Sequence, residues 1–206
     1  MKNKEIYSEI SSIRNLMERS SKFISLSGLS GVMAGIYALL GGIVAYRVIN
    51  SEGPGFDIDN FHVNESSIWR PLVLIALAIL VLSIVTCIWL TIRQAKKKGE
   101  NVWAPGSKRL FVNLLIPLIT GGLFIVILLV REHYDLIVPS SLIFYGLALI
   151  SGSHYTFTDV KWLGFCQIVL GLLAALLPGY AFIFWVVGFG FLHILYGSIM
   201  HFKYDK

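Results

Sequence analysis

Residues 27–45 read SGLSGVMAGIYALLGGIVA, an uncharged run in which small residues recur at helical spacing. If this run is an α-helix, its small residues fall within roughly 80° of one another. They are Ser27, Gly31, Gly35, Ala38, Gly42 and Ala45. Because lipid provides no hydrophobic drive for helix association, membrane helices pack through small-residue faces of this kind. The run therefore predicts a membrane helix on which other helices dock.

The composition of the whole chain is that of a membrane protein. Hydrophobic residues make up 56% of the 206 residues and charged residues only 14%, with a mean hydropathy of +0.73. These values lie outside the range of soluble globular proteins. The net charge of +5 comes from basic residues between apolar runs, so it indicates membrane topology and not nucleic-acid binding. Cys87 and Cys166 lie inside apolar runs, so we expect buried thiols and not a disulfide framework.

Apolar runs recur along the rest of the chain. They cover about 24–47, 70–93, 109–131, 136–152, 160–178 and 180–202, and each is close to the ~20 residues that a membrane span requires. The Pro178-Gly179 pair separates the last two runs so closely that they must form a hairpin. We therefore expect an all-α polytopic membrane protein whose domain of six transmembrane helices spans 24–206. We expect the first helix to act as an uncleaved insertion signal.

Residues 1–23 form a separate segment before the first apolar run. Ile6, Ile10, Ile13 and Met17 recur at helical spacing, and the intervening positions carry charges of both signs. This pattern predicts an amphipathic N-terminal helix. Two roles remain open for it: lying on the bilayer surface or docking on a protein partner.

The Lys and Arg residues predict the orientation of the spans. With the N-terminus inside, all but three of the 17 basic residues lie on the cytoplasmic side. The exceptions, Arg47, Arg70 and Arg131, each lie beside a helix end, where the side chain can reach the interface. The positive-inside rule therefore places both termini in the cytoplasm.

Three polar side chains within the apolar runs are candidates for function, because polar groups are costly in hydrocarbon. Asn113, Gln167 and His193 each lie in the half of their run nearest the cytoplasmic side. We expect them to form a polar pocket, although the same residues often serve only as packing contacts between helices. Both readings remain open.

Glycines surround two of these candidates. Gln167 lies between Gly164 and Gly171, and His193 lies between Gly190 and Gly197. We expect these glycine faces to pack helices closely and to bring Gln167 and His193 to one interface.

The third candidate, Asn113, precedes a proline. Pro117 removes the hydrogen bond to the Asn113 carbonyl, so we expect a kink in the third helix.

Cofactor, metal and catalytic signatures are not found in the sequence. His193 has no second histidine at matching depth, so it does not predict haem ligation. Asp57 and Asp59 of the loop after the first run lack the remaining spacing of a calcium loop. HExxH, GxSxG, P-loop and CxxC patterns are absent from the sequence. We therefore expect no cofactor, no metal and no enzymatic activity.

Two stretches resemble a known group of proteins. MERSSKFISLSGLSGVMAGIYALLGG (Met17–Gly42) and GFGFLHILYG (Gly188–Gly197) are similar to segments of a family of small, uncharacterised multi-span bacterial inner-membrane proteins. The resemblance extends through most of the chain. It implies a bacterial inner (cytoplasmic) membrane location and carries no activity or site residue with it.

Two classes of function are compatible with these features. The first is a non-enzymatic membrane module that senses, scaffolds or regulates, with the lipid bilayer and a cytoplasmic protein at the N-terminal helix as partners. The second is a small transporter or channel that uses the pocket of Asn113, Gln167 and His193. The sequence leaves open a homo-oligomer and predicts no nucleic-acid partner.

Overall fold

The computed structural model describes residues 27–50, 66–99 and 105–204. Within these ranges the chain is helical and contains no strand. The helices are α1 (Gly28–Asn50), α2 (Ser66–Lys98), α3 (Pro105–Val130), α4 (Ile137–Ser153), α5 (Asp159–Leu176) and α6, which has three consecutive parts (Ala181–Trp185, Val186–Phe191 and Leu192–Tyr204). Short 3₁₀ turns at Tyr134–Leu136 and Pro178–Tyr180 precede α4 and α6. The predicted amphipathic helix and the loop carrying Asp57 and Asp59 lie outside the described residues.

Each of the described helices is long and apolar enough to cross a membrane. The candidate spans range from 18 residues (Asp159–Leu176) to 29 residues (Trp69–Lys97), against the ~20 needed for the hydrocarbon core. The short run at 136–152 gains length because the turn before α4 continues into it, giving a span of 20 residues (Tyr134–Ser153). This confirms the predicted number of long apolar helices in the described part of the chain.

The helices pack in two groups that meet at α6. In the first group, α1 lies between α2 and α6. In the second, α4 lies between α3 and α5. The first part of α6 contacts both α4 and α5, so α6 joins the groups and is the most central helix.

The small-residue face of α1 lies against α6. A Cβ on Gly31 would lie 3.2 Å from Gly197 Cα, and a Cβ on Gly35 would lie 2.7 Å from the Gly190 carbonyl oxygen. At these distances the two backbones approach each other closely, with the side chains of Ile194 and Leu39 beside the contact. The glycines of both helices therefore form one contact, which brings the helix axes close together.

The glycines of α5 pack on α4. Gly146 and Gly164 face each other, since a Cβ on either would lie within 2.8 Å of the carbonyl oxygen of the other. Gly171 meets Ile143 and Pro139 in the same way. The glycine faces of α5 and α6 thus do not meet each other, in contrast to the sequence-based expectation. The physical reason is that α4 and α1 also present small-residue faces. Spacing along one helix does not determine which of these faces the helix packs on.

Contacts at both ends of the bundle agree with an alternating helix direction. At the end that holds Lys97, Arg109 and Lys203, which we call the basic end, the start of α5 meets the end of α6. Lys203 Nζ and Tyr204 Oη both donate to Asp159 Oδ2, each at 2.8 Å. At the opposite end, the ring of Trp69 stacks on that of Tyr134, with centroids 4.8 Å apart.

Candidate functional site

The second part of α6, Val186–Phe191, is a π-helix, and it leaves one backbone carbonyl without its usual partner. In an α-helix the N–H of Leu192 would bond to the carbonyl of Gly188, four residues earlier. Here it bonds to the carbonyl of Val187 instead. The Gly188 carbonyl oxygen is therefore available to side chains, as is common at π-helical turns in functional sites.

Two side chains donate to this oxygen. Gln167 Nε2 of α5 lies 2.8 Å from Gly188 O, and His193 Nδ1 of α6 itself lies 2.9 Å from it. A carbonyl oxygen has two lone pairs and can accept both bonds. The free carbonyl thus connects α5 to α6 and brings together two of the residues that the sequence singled out.

A third side chain bonds to the other nitrogen of His193. The hydroxyl of Tyr145 in α4 lies 2.8 Å from His193 Nε2. Because Nδ1 faces a carbonyl, it must carry a proton. In the neutral ring this is the Nδ1–H tautomer, in which Nε2 accepts from the Tyr145 hydroxyl, and the hydrogen bonds run from α4 through His193 to the Gly188 carbonyl.

Gln167 and His193 of the network are buried, and Tyr145 is half-buried. Gln167 is 0% exposed and His193 is 5% exposed. The ring of Phe189 stacks on the His193 ring at an interplanar angle of 17°, and Tyr145 packs against both rings. Gln167 Oε1 is buried with no hydrogen-bond partner among the described residues.

A Cβ added at position 188 would displace the ends of two buried side chains. A Cβ there would lie 2.7 Å from Gln167 Oε1 and 2.7 Å from Leu142 Cδ2. The side chain of Gln167 can approach the Gly188 carbonyl only because that Cβ is missing. This is a packing requirement in addition to the hydrogen bonds.

Asn113, the remaining member of the predicted pocket, lies elsewhere. Its Nδ2 donates to the Arg109 carbonyl of its own helix at 2.8 Å, in an exposed position. Pro117 lies inside α3, which remains α-helical across it. Among the described residues, the long helix that departs from α-helical geometry along its length is α6 and not α3, although α6 contains no proline.

Tyr145 was not among the residues predicted from the sequence. Tyrosine is common in apolar helices, and nothing in the spacing within α4 marks this one as a hydrogen-bond donor. A usable signal would have been its position beside Gly146, since a residue next to a close helix contact is held near the helix interface.

The chemistry available to this network is limited to neutral hydrogen bonding. It contains an amide, an imidazole, a phenol and a backbone carbonyl, and no carboxylate among the described residues is hydrogen-bonded to them. No group of three metal-binding side chains occurs in the described ranges, and Cys87 and Cys166 are both free thiols. The arrangement is suited to holding α4, α5 and α6 in one relation to each other.

Gly188→Ala is expected to disrupt the site. The added methyl group displaces Gln167 or Leu142, and such overpacking costs about 1–3 kcal/mol in the free energy of unfolding. The matched control is Gly122→Ala in α3, where an added Cβ meets nothing within 4 Å. Thermal unfolding of the detergent-purified variants measures both changes. Equal midpoints for the two variants would contradict the close packing at Gly188.

Comparison with models of protein families, with curated proteins and with solved structures finds no match to this chain.

Proposed function

We propose that the protein is a multi-pass protein of the bacterial inner (cytoplasmic) membrane, with six spans and both termini in the cytoplasm. Support comes from the outward-facing side chains, which are large and apolar along whole helices. On α2 they include Leu74, Leu77, Leu80, Val81, Ile84, Val85 and Ile88. An apolar surface of this extent is far larger than soluble monomers expose. The bacterial inner membrane in particular is proposed from the resemblance of Met17–Gly42 and Gly188–Gly197 alone, for which the comparisons found no relative.

The proposed orientation rests on charge. Within the described residues, the basic end carries Arg93, Lys96, Lys97, Lys108, Arg109, Lys161 and Lys203, and the opposite end carries Arg47, Arg70 and Arg131. Cytoplasmic connections are enriched in Lys and Arg. The basic end is therefore assigned to the cytoplasm.

Reporter fusions test this orientation. Fusions at Lys97 and at the C-terminus should be active as cytoplasmic reporters, and a fusion at Asp57 should be active only as an external reporter. The control is a matched pair of reporters that are active on opposite sides of the membrane. An external C-terminus would contradict the arrangement of six spans.

We infer that the protein acts as a non-enzymatic module that senses, scaffolds or regulates in the membrane. The observation that carries this proposal is the state of His193. Both of its ring nitrogens are bonded within the protein, and its side chain is 5% exposed. A solute or proton path needs polar groups that water can reach, whereas a closed network of neutral groups fits a structural or signalling element.

The partners of such a module follow from its surfaces. The lipid bilayer surrounds the apolar faces, and the basic end together with the predicted N-terminal helix faces the cytoplasm, where a protein partner would bind. A homo-oligomer is compatible with the exposed apolar face of α2.

A small transporter or channel is the second candidate. The interruption in α6 favours it, because broken helices with free carbonyls line the binding sites of many transporters. In that case Gln167, His193 and the Gly188 carbonyl would bind the transported proton or solute.

Proton flux separates the two candidates. The protein is reconstituted into liposomes containing a pH-sensitive dye, and an outward proton gradient is applied. The regulatory proposal expects dissipation at the rate of protein-free liposomes, both for the unsubstituted protein and for His193→Gln. Rapid dissipation that His193→Gln abolishes, while the variant remains folded, would favour transport and contradict the regulatory proposal.

A further inference from the structure

The geometry points to a register switch in α6, with the Gly188 carbonyl as its control point. We propose that the bonds from Gln167 and His193 hold α6 in the π-helical register, and that their release returns the segment to the α-helical register. The proposal goes beyond the closed site described above, since it adds a second conformation. Only the biological role of the switch depends on the proposed regulatory function; the change of register itself does not.

The two registers differ in the partner of a single amide. In the observed form, the Leu192 N–H bonds to Val187 O, and Gly188 O accepts from two side chains. In the alternative form, the Leu192 N–H bonds to Gly188 O as in an ordinary helix. Gly188 O then has one lone pair left, so Gln167 Nε2 and His193 Nδ1 can no longer both donate to it. The side chains and the backbone therefore compete for one oxygen.

The change of register has a defined mechanical consequence. A π-helical turn holds one more residue than the α-helical turn that replaces it. Removing it turns one part of α6 against the other by about 100° and shifts it by about 1.5 Å. The last part of α6 is held on α1 by Gly197, which contacts the backbone of Gly28 and Val32. The first part, Ala181–Trp185, packs on α4 and α5 instead. In the switch it is the part that turns, and its contacts with those two helices change with it.

The network connects this switch to the second helix group. Tyr145 of α4 is hydrogen-bonded to the His193 ring that donates to Gly188 O, and Gln167 supplies the second donor from α5. A displacement of α4 or α5 relative to α6 would weaken these bonds. Movement in that group would thus be converted into rotation of the first part of α6 and of the adjoining Val186, which lies beside Gly42 of α1.

Disulfide cross-linking can report the register. A Cβ on Gly42 of α1 would lie 3.2 Å from Val186 Cγ2, at the first residue of the π segment. Gly42→Cys with Val186→Cys is therefore within reach of a disulfide in the observed register and out of reach after the turn. The reference pair is Gly41→Cys with Ile79→Cys, between α1 and α2, where a Cβ on Gly41 would lie 2.8 Å from Ile79 Cγ1.

The experiment compares cross-linking rates in membranes, in a background with Cys87→Ala and Cys166→Ala. Gln167→Met and His193→Phe remove the two donors and keep apolar bulk. Because each neutral hydrogen bond contributes modestly, we expect either substitution to slow the Gly42–Val186 cross-link about threefold and the two together about tenfold. The Gly41–Ile79 cross-link should keep its rate.

An unchanged Gly42–Val186 rate in the double variant would overturn the proposal. If the double variant loses both cross-links, because the bundle has come apart, the single variant Gln167→Met decides. An unchanged rate at Gly42–Val186 in that single variant also overturns the switch. The cross-linking measurement involves neither proton flux nor a partner. A negative result would therefore overturn the switch and leave the proposed function to be tested by proton flux.

Discussion

Gly35→Leu is expected to separate α1 from α6. A Cβ at this position would lie 2.7 Å from the Gly190 carbonyl oxygen and 2.9 Å from the Ile194 nitrogen, both of which are backbone atoms. Backbone cannot move aside as a flexible side chain does, so the leucine must push the helices apart. Overpacking of this kind costs typically 1–3 kcal/mol and occasionally more, and contact with backbone places this variant at about 3 kcal/mol or above.

The matched control is the next residue of the same helix. Ile36 is 37% exposed and points away from α6, so Ile36→Leu should change the free energy of unfolding by less than about 1 kcal/mol. Unfolding of both variants in mixed micelles, followed by circular dichroism, measures the difference. Equal tolerance of the two substitutions would show that the small-residue face of α1 is not a contact surface.

The second large effect is expected at the α4–α5 contact. In Gly164→Leu, the Cβ of the new side chain would lie 2.8 Å from the Gly146 carbonyl oxygen and 3.1 Å from the Ile150 nitrogen. The rest of the leucine would need further space. The two helices would have to separate, and Gln167, one turn along α5, would move with them. We expect a loss of about 3 kcal/mol or more, together with loss of the bond between Gln167 and Gly188.

Val169→Leu provides the comparison for this variant. Val169 lies on the same helix and is 54% exposed, so the added methylene meets no backbone and the stability should change little. Thermal unfolding measures stability. A Gly164→Leu protein as stable as Val169→Leu would mean that α4 and α5 do not approach as closely as described.

These two contacts explain why glycine is so frequent in the chain. Each joins two helices with little side-chain volume between them, and α6 then connects the resulting groups through one carbonyl. Between α5 and α6, the approach of Gln167 to the backbone occurs at Gly188, where no Cβ lies in the way. The polar network thus positions α5 on α6, a pair whose glycine faces do not meet.

The candidate site could be predicted only in part from the sequence. Gln167 and His193 stand out because amides and imidazoles are rare in apolar helices, and the structure brings them to one carbonyl. Asn113 satisfies the same rule and lies apart, bonded to the Arg109 carbonyl of its own helix. The rule follows from the free energy that is lost when a polar group is buried without a hydrogen bond. A side chain can form that bond within its own helix or across an interface between helices.

The sequence by itself determined the helical class, the approximate bounds of the long apolar helices and the small-residue face of α1. Each of these depends on residues that are near one another in the chain, through hydropathy or helical spacing. Only the tertiary structure decided that α5 packs its glycines on α4 and α6 packs its glycines on α1. The π-helical turn at Val186–Phe191 was likewise decided there, since its free carbonyl is bonded by Gln167 of α5 and by His193, whose ring is bonded in turn to Tyr145 of α4. Gln167 and Tyr145 come from other helices, and periodicity within one helix carries no information about them.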